Sequence, residues 1–241
     1  MHSLDGVKAL LFDVFGTVVD WRGGVAREAA TFLTRHGASN ADAFAFADRW
    51  RSRYQPAMQE VRSGRRPFVA LDVLHRENLV ALLPEFGIDP AKVPAAEIDE
   101  LNIAWHRLDP WPDSIAGLTR LRRRYIIAPL SNGNVILLLE MAKRAALPWD
   151  AILGAEVVQA YKPAPESYLR TAKVLAMRPE QICLVAAHNG DLAAARSCGF
   201  RTAFIPRPTE HGSAQTSDLR AEQEWEIIAP SLTALADQLG L

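Results

Sequence analysis

Four short runs of apolar residues occur along the chain, each bounded by polar or turn-forming residues. The runs cover residues 9–12, 125–130, 182–186 and 202–205. Continuous apolar runs of this length are typical of strands covered on both faces, as in a parallel sheet. Amphipathic helical periods fall between the later runs, most clearly at 134–146 and 165–176. The alternation predicts an α/β fold whose core is a doubly wound, Rossmann-like parallel sheet.

Residues 20–108, which separate the first strand from the second, contain almost no strand pattern. Apolar residues repeat with a helical period near 25–36 and again over 68–82 and 94–108. Asn40 is placed to cap a further helix, which Pro56 is expected to kink or end. The region is therefore predicted to hold four amphipathic helices.

These helices predict a helical cap domain, residues 20–108, inserted into a core made of residues 1–19 and 109–241. The sequence Asp-Pro-Trp-Pro-Asp at 109–113 would break a helix and mark the return to the core. Ligands in open α/β sheets bind outside the carboxyl ends of the strands. An insert that leaves directly after the first strand is therefore expected to cover the binding crevice.

Composition and charge exclude several classes of partner. The formal net charge is −1 and the pI is about 6.6, so neither nucleic acid nor an anionic membrane is expected. No apolar run is long enough to span a bilayer. Cys183 and Cys198 provide no disulfide framework, so we expect a cytoplasmic protein. The polar stretch 207–224 is expected to be a surface loop with His211 exposed.

Polar side chains stand where the apolar strands end. Asp13 ends the first strand, and Ser131 and Asn132 end the second at a helix N-terminus that is able to hold an anion. The strand at 182–186 runs into a polar turn that ends at Asp191. Lys162 precedes a proline, which favours an extended conformation just before a helix. Each residue alone also has an ordinary explanation as a helix cap or a surface charge.

Taken together, these segments resemble the haloacid dehalogenase superfamily, and the resemblance spans almost the whole chain, the insert included. It implies that Asp13 is a nucleophile and that the core site also contains Thr17, Ser131, Lys162 and Asp191. Most members are phosphatases with an Asp-x-Asp pattern, in which the second acid protonates the leaving alcohol.

Phe15 occupies the position of that second acid. A phosphate monoester carries nearly two negative charges, and bringing it to an aspartate without a cation is electrostatically costly. The charges assigned to the site, which are Asp13, Asp191, Lys162 and one cap arginine, sum to zero. Such a site suits a substrate with a single negative charge and predicts neither a metal nor a cofactor.

The pattern Asp-x-Phe-Gly-Thr is similar to that of the L-2-haloacid dehalogenase branch of the superfamily. Arg51, which follows a tryptophan, stands where that branch has its halide-side arginine. Lys162 is followed six residues later by Tyr168, as in the branch. Arg49 and Arg53 are the alternatives to Arg51, because helical spacing prevents all three from facing the site.

The segment after the strand at 182–186 departs from the branch, whose members carry Ser-Ser-Asn-x-x-Asp there. Residues 186–191 read Ala-Ala-His-Asn-Gly-Asp, so the serine and asparagine that position water are missing. His188 or Asn189 is the candidate substitute. An imidazole at this place is able to donate to the water, to the ester of the nucleophile or to the departing halide.

The branch implies hydrolytic dehalogenation of short 2-haloalkanoic acids to 2-hydroxy acids through an ester on Asp13. Water would then attack that ester with Asp191, held by Lys162, as the general base, and Thr17 would fix the rotamer of Asp13. Halide contacts are expected from Arg51 and from His188 or Asn189. Contacts to the rest of the substrate are expected from Val14, Phe15, Trp21, Ser131, Asn132 and Tyr168.

Three bulky residues, Trp21, Phe15 and His188, predict a small pocket and a preference for haloacetates, fluoroacetate included. A magnesium-dependent phosphatase of the same fold and a non-enzymatic ligand-binding protein stay open as alternatives. Related dehalogenases are often homodimers, so the expected partners are a small-molecule haloacid and a second copy of the chain.

Overall fold

The computed structural model describes residues 4–241, and residues 1–3 of the predicted core segment 1–19 lie outside the described residues. The strands are β1 (Ala9–Phe12), β2 (Val19–Asp20), β3 (Asp109–Pro110), β4 (Ile126–Ser131), β5 (Leu153–Gly154), β6 (Ile182–Ala186), β7 (Arg201–Phe204) and β8 (Ile227–Ile228). The α-helices are α1 (Trp21–Arg35), α2 (Ala43–Ser52), α3 (Tyr54–Arg62), α4 (Leu71–Leu82), α5 (Ala95–Asn102), α6 (Ser114–Leu121), α7 (Val135–Ala145), α8 (Ala155–Val158), α9 (Pro165–Val174), α10 (Asn189–Ser197) and α11 (Leu232–Gln238).

Within residues 4–241, six parallel strands form one sheet in the order β5-β4-β1-β6-β7-β8. Without the insert, this is the doubly wound order 3-2-1-4-5-6. The direction of winding reverses between β1 and β6, and ligands of such sheets bind in the crevice at that reversal. Asp13 follows β1 and His188 lies just beyond β6, so both flank this crevice.

Alternate side chains of β1 enter two separate apolar clusters, because successive residues of a strand point to opposite faces. Leu10 and Phe12 belong to the cluster that continues into the insert, whereas Ala9 and Leu11 pack with residues of α9 and α10. All four are fully buried. The predicted α/β class with a parallel sheet covered on both faces is confirmed.

The predicted strand bounds are close to those observed. The runs at 9–12 and 182–186 have the observed bounds, and the other two are displaced by one residue. β5 and β8 escape the sequence pattern because a strand of two residues shows no periodicity.

The helical insert differs from the prediction at its second helix. That helix is divided at Arg53 into α2 and α3, so residues 20–108 hold five α-helices rather than four. Asp42 caps α2, not Asn40, because the Asp42 carboxylate accepts a hydrogen bond from the Phe44 N–H. Pro56 lies in the first turn of α3, where the backbone needs no N–H donor, so it does not end a helix.

A short antiparallel pair joins the two crossings between insert and core. Val19 pairs with Pro110, and Asp20 pairs with Asp109. The predicted domain boundaries fall on this pair, and the division into a core and a cap stays a prediction. Over residues 4–241, every helix is too short or too polar to cross a bilayer.

Candidate active site

The candidate site lies at the carboxyl edge of the sheet, where the loops after β1, β4 and β6 meet. Asp13 is only 7% exposed, and Lys162, which directly precedes the loop into α9, is equally buried. His188 follows β6 and Asp191 lies in the first turn of α10. Parallel strands bring these distant residues together because all their carboxyl ends share one edge.

The two carboxylate oxygens of Asp13 have different partners. Thr17 donates its hydroxyl to Oδ2 at 2.7 Å, and Nδ1 of His188 lies 3.0 Å from the same oxygen. Lys162 donates its ammonium to Oδ1 at 2.9 Å. Thr17 Oγ1 itself accepts the N–H of Ala187, so its proton is directed to Asp13. Burial opposes ionisation, but Lys162 and His188 hold the pKa of Asp13 far below its usual range.

Lys162 joins Asp13 to Asp191. Its ammonium also donates to Oδ2 of Asp191, and the other Asp191 oxygen accepts the Tyr168 hydroxyl at 2.5 Å. Burial would lower the pKa of Lys162, but the two carboxylates raise it above its usual value. The sequence predicts that Tyr168 contacts the substrate. In the structure its hydroxyl donates a hydrogen bond to Asp191, and the residue lies outside the cavity lining.

Glu210 is a site residue that sequence reasoning missed. It is 2% exposed, within the stretch 207–224 that the sequence predicts to be a surface loop. Its carboxylate lies 2.9 Å from Nε2 of His188 and accepts the indole N–H of Trp21 at 2.9 Å. Nothing in the polar sequence around it marks this one carboxylate as buried. Burial would raise the pKa of Glu210, but His188 holds it below its usual value.

Gly16 makes room for the Glu210 carboxylate. Its φ of +88° lies in the region that glycine adopts readily. A Cβ at this position would lie 2.0 Å from Oε1 of Glu210. The turn after β1 and the buried carboxylate therefore occupy adjoining space.

Arg51 carries an unpaired guanidinium nitrogen inside the site. Nη1 is buried without a hydrogen-bond partner. The guanidinium carbon lies 4.0, 5.3 and 5.7 Å from the ring centres of Tyr54, Trp21 and Phe15. Aromatic walls around a cation with a free donor make a suitable place for an anion.

The two alternatives to Arg51 are engaged elsewhere. Arg49 and Arg53 both pair with Glu85 at the surface of the insert. Arg51 is therefore the member of the trio that lines the cavity.

Two predicted site residues are used differently. Ser131 accepts the Gly133 N–H and lies outside the lining of the cavity over Asp13. The Asn189 amide donates to Asp218 and accepts from the Trp225 indole, so it holds the loop beyond β7 instead of facing the reaction. Val14 is buried, and a role for its backbone N–H stays a prediction.

The cavity over Asp13 has a volume of about 540 Å³, which is larger than the predicted small pocket. Its lining includes Asp13, Phe15, Arg51 and His188. Side chains of α3 also line the cavity, which the sequence does not reveal, and they are Tyr54, Gln55, Gln59 and Arg62.

The charges of the site sum to zero, as predicted, although the structure adds two charged groups to the predicted four. Glu210 adds a negative charge and a protonated His188 adds a positive one, so the sum of zero is unchanged. In the described range 4–241, no group of three or more His, Cys, Asp or Glu side chains is arranged to hold a metal ion.

Comparison with known proteins places this geometry in context. Residues 7–199 match the family model described as haloacid dehalogenase-like hydrolase. The (S)-2-haloacid dehalogenase 4A of Burkholderia cepacia is 28% identical, covering 97% of this chain and 100% of the relative.

Two solved structures are more similar in sequence. A crystal structure of a defluorinating L-2-haloacid dehalogenase is 56% identical with a TM-score of 0.95, covering 98% of this chain and 96% of the other. A crystal structure of another L-2-haloacid dehalogenase is 45% identical with a TM-score of 0.91, covering 97% and 99%.

Proposed function

This chain belongs to the haloacid dehalogenase-like hydrolases, in their L-2-haloacid dehalogenase branch, and from that membership we propose that it hydrolyses the carbon–halogen bond of short 2-haloalkanoic acids. The products are a 2-hydroxy acid and a halide ion. One observation carries the proposal. The buried carboxylate of Asp13 is held ionised by Lys162 in a cavity that also presents the unpaired guanidinium nitrogen of Arg51.

The first step is an attack by Asp13 on the carbon that carries the halogen. An oxygen of the carboxylate forms a bond to this carbon from the side opposite the halogen, and the halide leaves with the bonding electrons. Covalent catalysis divides a difficult displacement into two easier steps. Arg51 stabilises the departing halide, where negative charge grows in the transition state.

The second step is hydrolysis of the Asp13 ester. Asp191 accepts a proton from the attacking water, and Lys162 fixes the position of Asp191. Tyr168 positions the other Asp191 oxygen. Asn132, whose Oδ1 accepts the Lys162 backbone N–H, faces the cavity and is placed to contact the substrate carboxylate.

We propose a preference for haloacetates, fluoroacetate included. Phe15 and His188 line the cavity beside Asp13, and the bulk of these two side chains favours a short substrate at the reacting carbon. The similar protein that shares 56% of its sequence with this chain is a defluorinating enzyme, which supports the same activity here.

The competing interpretation as a magnesium-dependent phosphatase finds less support. Phe15, not a carboxylate, stands two residues beyond Asp13, and the nearest charged partners of Asp13 are the cations Lys162 and His188. Magnesium prefers oxygen ligands, and a cationic neighbour opposes its binding.

A halide-release panel tests the proposal. Purified protein is incubated with fluoroacetate, chloroacetate and 2-chlorobutyrate, with and without EDTA, and with a phosphate monoester for comparison. We expect halide from the acetates at equal rates with and without EDTA, and slower release from the butyrate. Phosphate release that EDTA abolishes, without halide release, would refute the proposal.

The nucleophile is tested separately. Asp13→Asn is expected to abolish turnover, whereas Asp48→Asn, a surface carboxylate paired with Arg22, is expected to retain it. A single turnover in ¹⁸O-water should place the label on Asp13. Label that appears first in the product would mean that water attacks the substrate directly.

A further inference from the structure

The two oxygens of Asp13 are not equivalent, and their difference bears on the second step of the proposed reaction. Oδ2 receives two donors, Thr17 and His188, whereas Oδ1 receives the ammonium of Lys162. An oxygen that accepts two hydrogen bonds has less electron density to offer an electrophile. Such an oxygen is instead well placed to carry negative charge if it becomes the carbonyl oxygen of an ester.

His188 has no N–H left for a halide. Nδ1 faces Asp13, and Nε2 faces the Glu210 carboxylate. A ring with a carboxylate at each nitrogen is held as an imidazolium that donates from both sides. Burial opposes this charge, but Glu210 and Asp13 raise the pKa of His188 well above its usual value.

We propose that Oδ1 of Asp13 is the attacking oxygen, and that His188, held by Glu210, joins Thr17 in stabilising the oxyanion that forms on Oδ2 during ester hydrolysis. His188 is thus a catalytic residue of the second step, and Glu210 is a positioning residue that acts through it. This assignment rests on the proposed function, and it adds a residue and a step to that function.

The electrons and protons of the step balance. Water oxygen bonds to Cγ of Asp13 while Asp191 takes a water proton, and the carbonyl electron pair moves to Oδ2. The Thr17 hydroxyl and the Nδ1–H of His188 donate hydrogen bonds to that oxyanion. When the carbonyl bond reforms, the bond from Cγ to Oδ1 breaks, and the departing 2-hydroxy acid oxygen takes the proton from Asp191. The second water proton leaves to solvent as the Asp13 carboxyl group ionises again.

Glu210 matters most once the ester has formed. In the free enzyme, both Asp13 and Glu210 favour the imidazolium. Esterification removes the charge of Asp13, so Glu210 is then the carboxylate that touches His188. The other charged or titratable groups nearby are His211, whose Nε2 lies 3.6 Å from Glu210, and Lys162, Arg51 and Asp191 across the cavity.

A Glu210→Gln variant separates this role from a structural one. Glutamine has the same shape but removes the negative charge. Rapid-quench measurements with chloroacetate should show a burst of about one chloride per active site, at a rate within roughly threefold of wild type. Ester hydrolysis should then be slower by on the order of 100-fold, a typical effect of losing one oxyanion donor. Intact-protein mass spectrometry should show the esterified enzyme accumulating.

The pH profile gives a readout that a merely structural role would not move. Without Glu210, the esterified enzyme keeps neither of the carboxylates that raise the pKa of His188, and burial should lower this pKa below its usual value of about 6.5. Hydrolysis in the variant should therefore become faster as the pH is lowered from 8 towards 5, because the imidazolium is then regained, whereas wild type stays level over this range.

Two further variants complete the test. Glu226→Gln removes another part-buried glutamate, one that accepts hydrogen bonds from Thr202 and lies outside the cavity, and should leave both steps unchanged. His188→Asn should keep the burst and show slow hydrolysis that does not vary with pH near 6.5. This variant carries the test if Glu210→Gln does not fold.

Three outcomes would overturn the assignment alone. They are unchanged ester hydrolysis in Glu210→Gln, a chloride burst in this variant slowed as much as its turnover, and ester hydrolysis in this variant that is level between pH 5 and 8. If wild type releases no chloride at all, the proposed function itself fails, and that result is distinguishable because it needs no variant.

Discussion

Replacing Lys162 with methionine tests the electrostatic centre of the site. Methionine has nearly the length of lysine but no charge, so the change leaves two carboxylates, Asp13 and Asp191, without their shared cation. The side chains of all three residues are about a tenth exposed or less. Removing one partner of a buried ion pair costs about 3–5 kcal/mol, because the remaining charge is left unpaired.

The structure favours the lower end of that range. His188 still faces Oδ2 of Asp13, and Tyr168 still donates to Asp191. We therefore expect the free energy of unfolding at pH 7 to fall by about 3 kcal/mol. For a chain of this size, that corresponds to a decrease in melting temperature of roughly 6–12 °C.

The loss should depend on pH in a definite direction. In wild type, the pKa of Asp13 is lowered, so the stability it contributes is present above the usual carboxyl pKa of about 3.9 and is lost as the pH falls further. Without Lys162, burial raises the pKa of Asp13 relative to wild type, so the folded variant takes up a proton at a higher pH than wild type does. The difference in unfolding free energy should therefore narrow between pH 7 and pH 4.

Urea denaturation of both proteins at pH 7, 5.5 and 4 measures this difference. Lys143→Met is the matched control, because Lys143 is exposed on α7 and its replacement should change stability by less than about 0.5 kcal/mol. A loss below about 1 kcal/mol at pH 7 would show that the buried ion pairs do not stabilise the site as argued. A difference that stays constant down to pH 4 would refute the pKa argument.

Two further predictions concern the insert. Arg51→Gln should slow the chloride burst by on the order of 100-fold, whereas Arg49→Gln should not, and equal losses in both would contradict the assignment of the halide contact. His106 lies between Asp72 of the insert and Glu140 of α7. Burial opposes its charge, but these carboxylates raise its pKa, so its stabilisation is complete below about pH 6.5 and lost as the pH rises through the raised pKa. Melting curves from pH 6 to 9 should show wild type losing stability relative to His106→Gln, and parallel curves would count against this role.

Much of the core could be predicted because the burial of a strand in the structure determines which of its positions are apolar in the sequence. A central parallel strand is buried on both faces, so β1 and β6 read as continuous apolar runs whose ends are visible in the sequence. The polar residues that follow them, Asp13 and His188, meet at the crevice because the strands run parallel. Topology therefore accounts for the meeting of Asp13 and Asp191, whereas Lys162 was assigned to the site by the family resemblance, because β5 before it shows no sequence pattern.

The parts that escaped prediction depend on tertiary contacts without a local pattern. Arg53, which separates α2 from α3, is not a helix-breaking residue, so the sequence shows no sign of this boundary. Glu210 lies in a polar stretch, where a buried carboxylate and an exposed one look alike. Asn189 and His188 are neighbours of similar polarity, and only the fold decides that one holds a loop while the other faces Asp13.

The tight turn after β1 makes the residue that is allowed at position 16 depend on the residue at position 210, far away in the sequence. Because any side chain at position 16 would collide with the carboxylate at position 210, Gly16 cannot change freely while Glu210 is kept. A descendant that acquired even alanine at Gly16 would have to displace Glu210, and His188 would lose its anionic neighbour. We therefore expect homologous chains that carry this glutamate to keep this glycine, whereas the glycine, whose φ is positive, should persist also in chains without the glutamate.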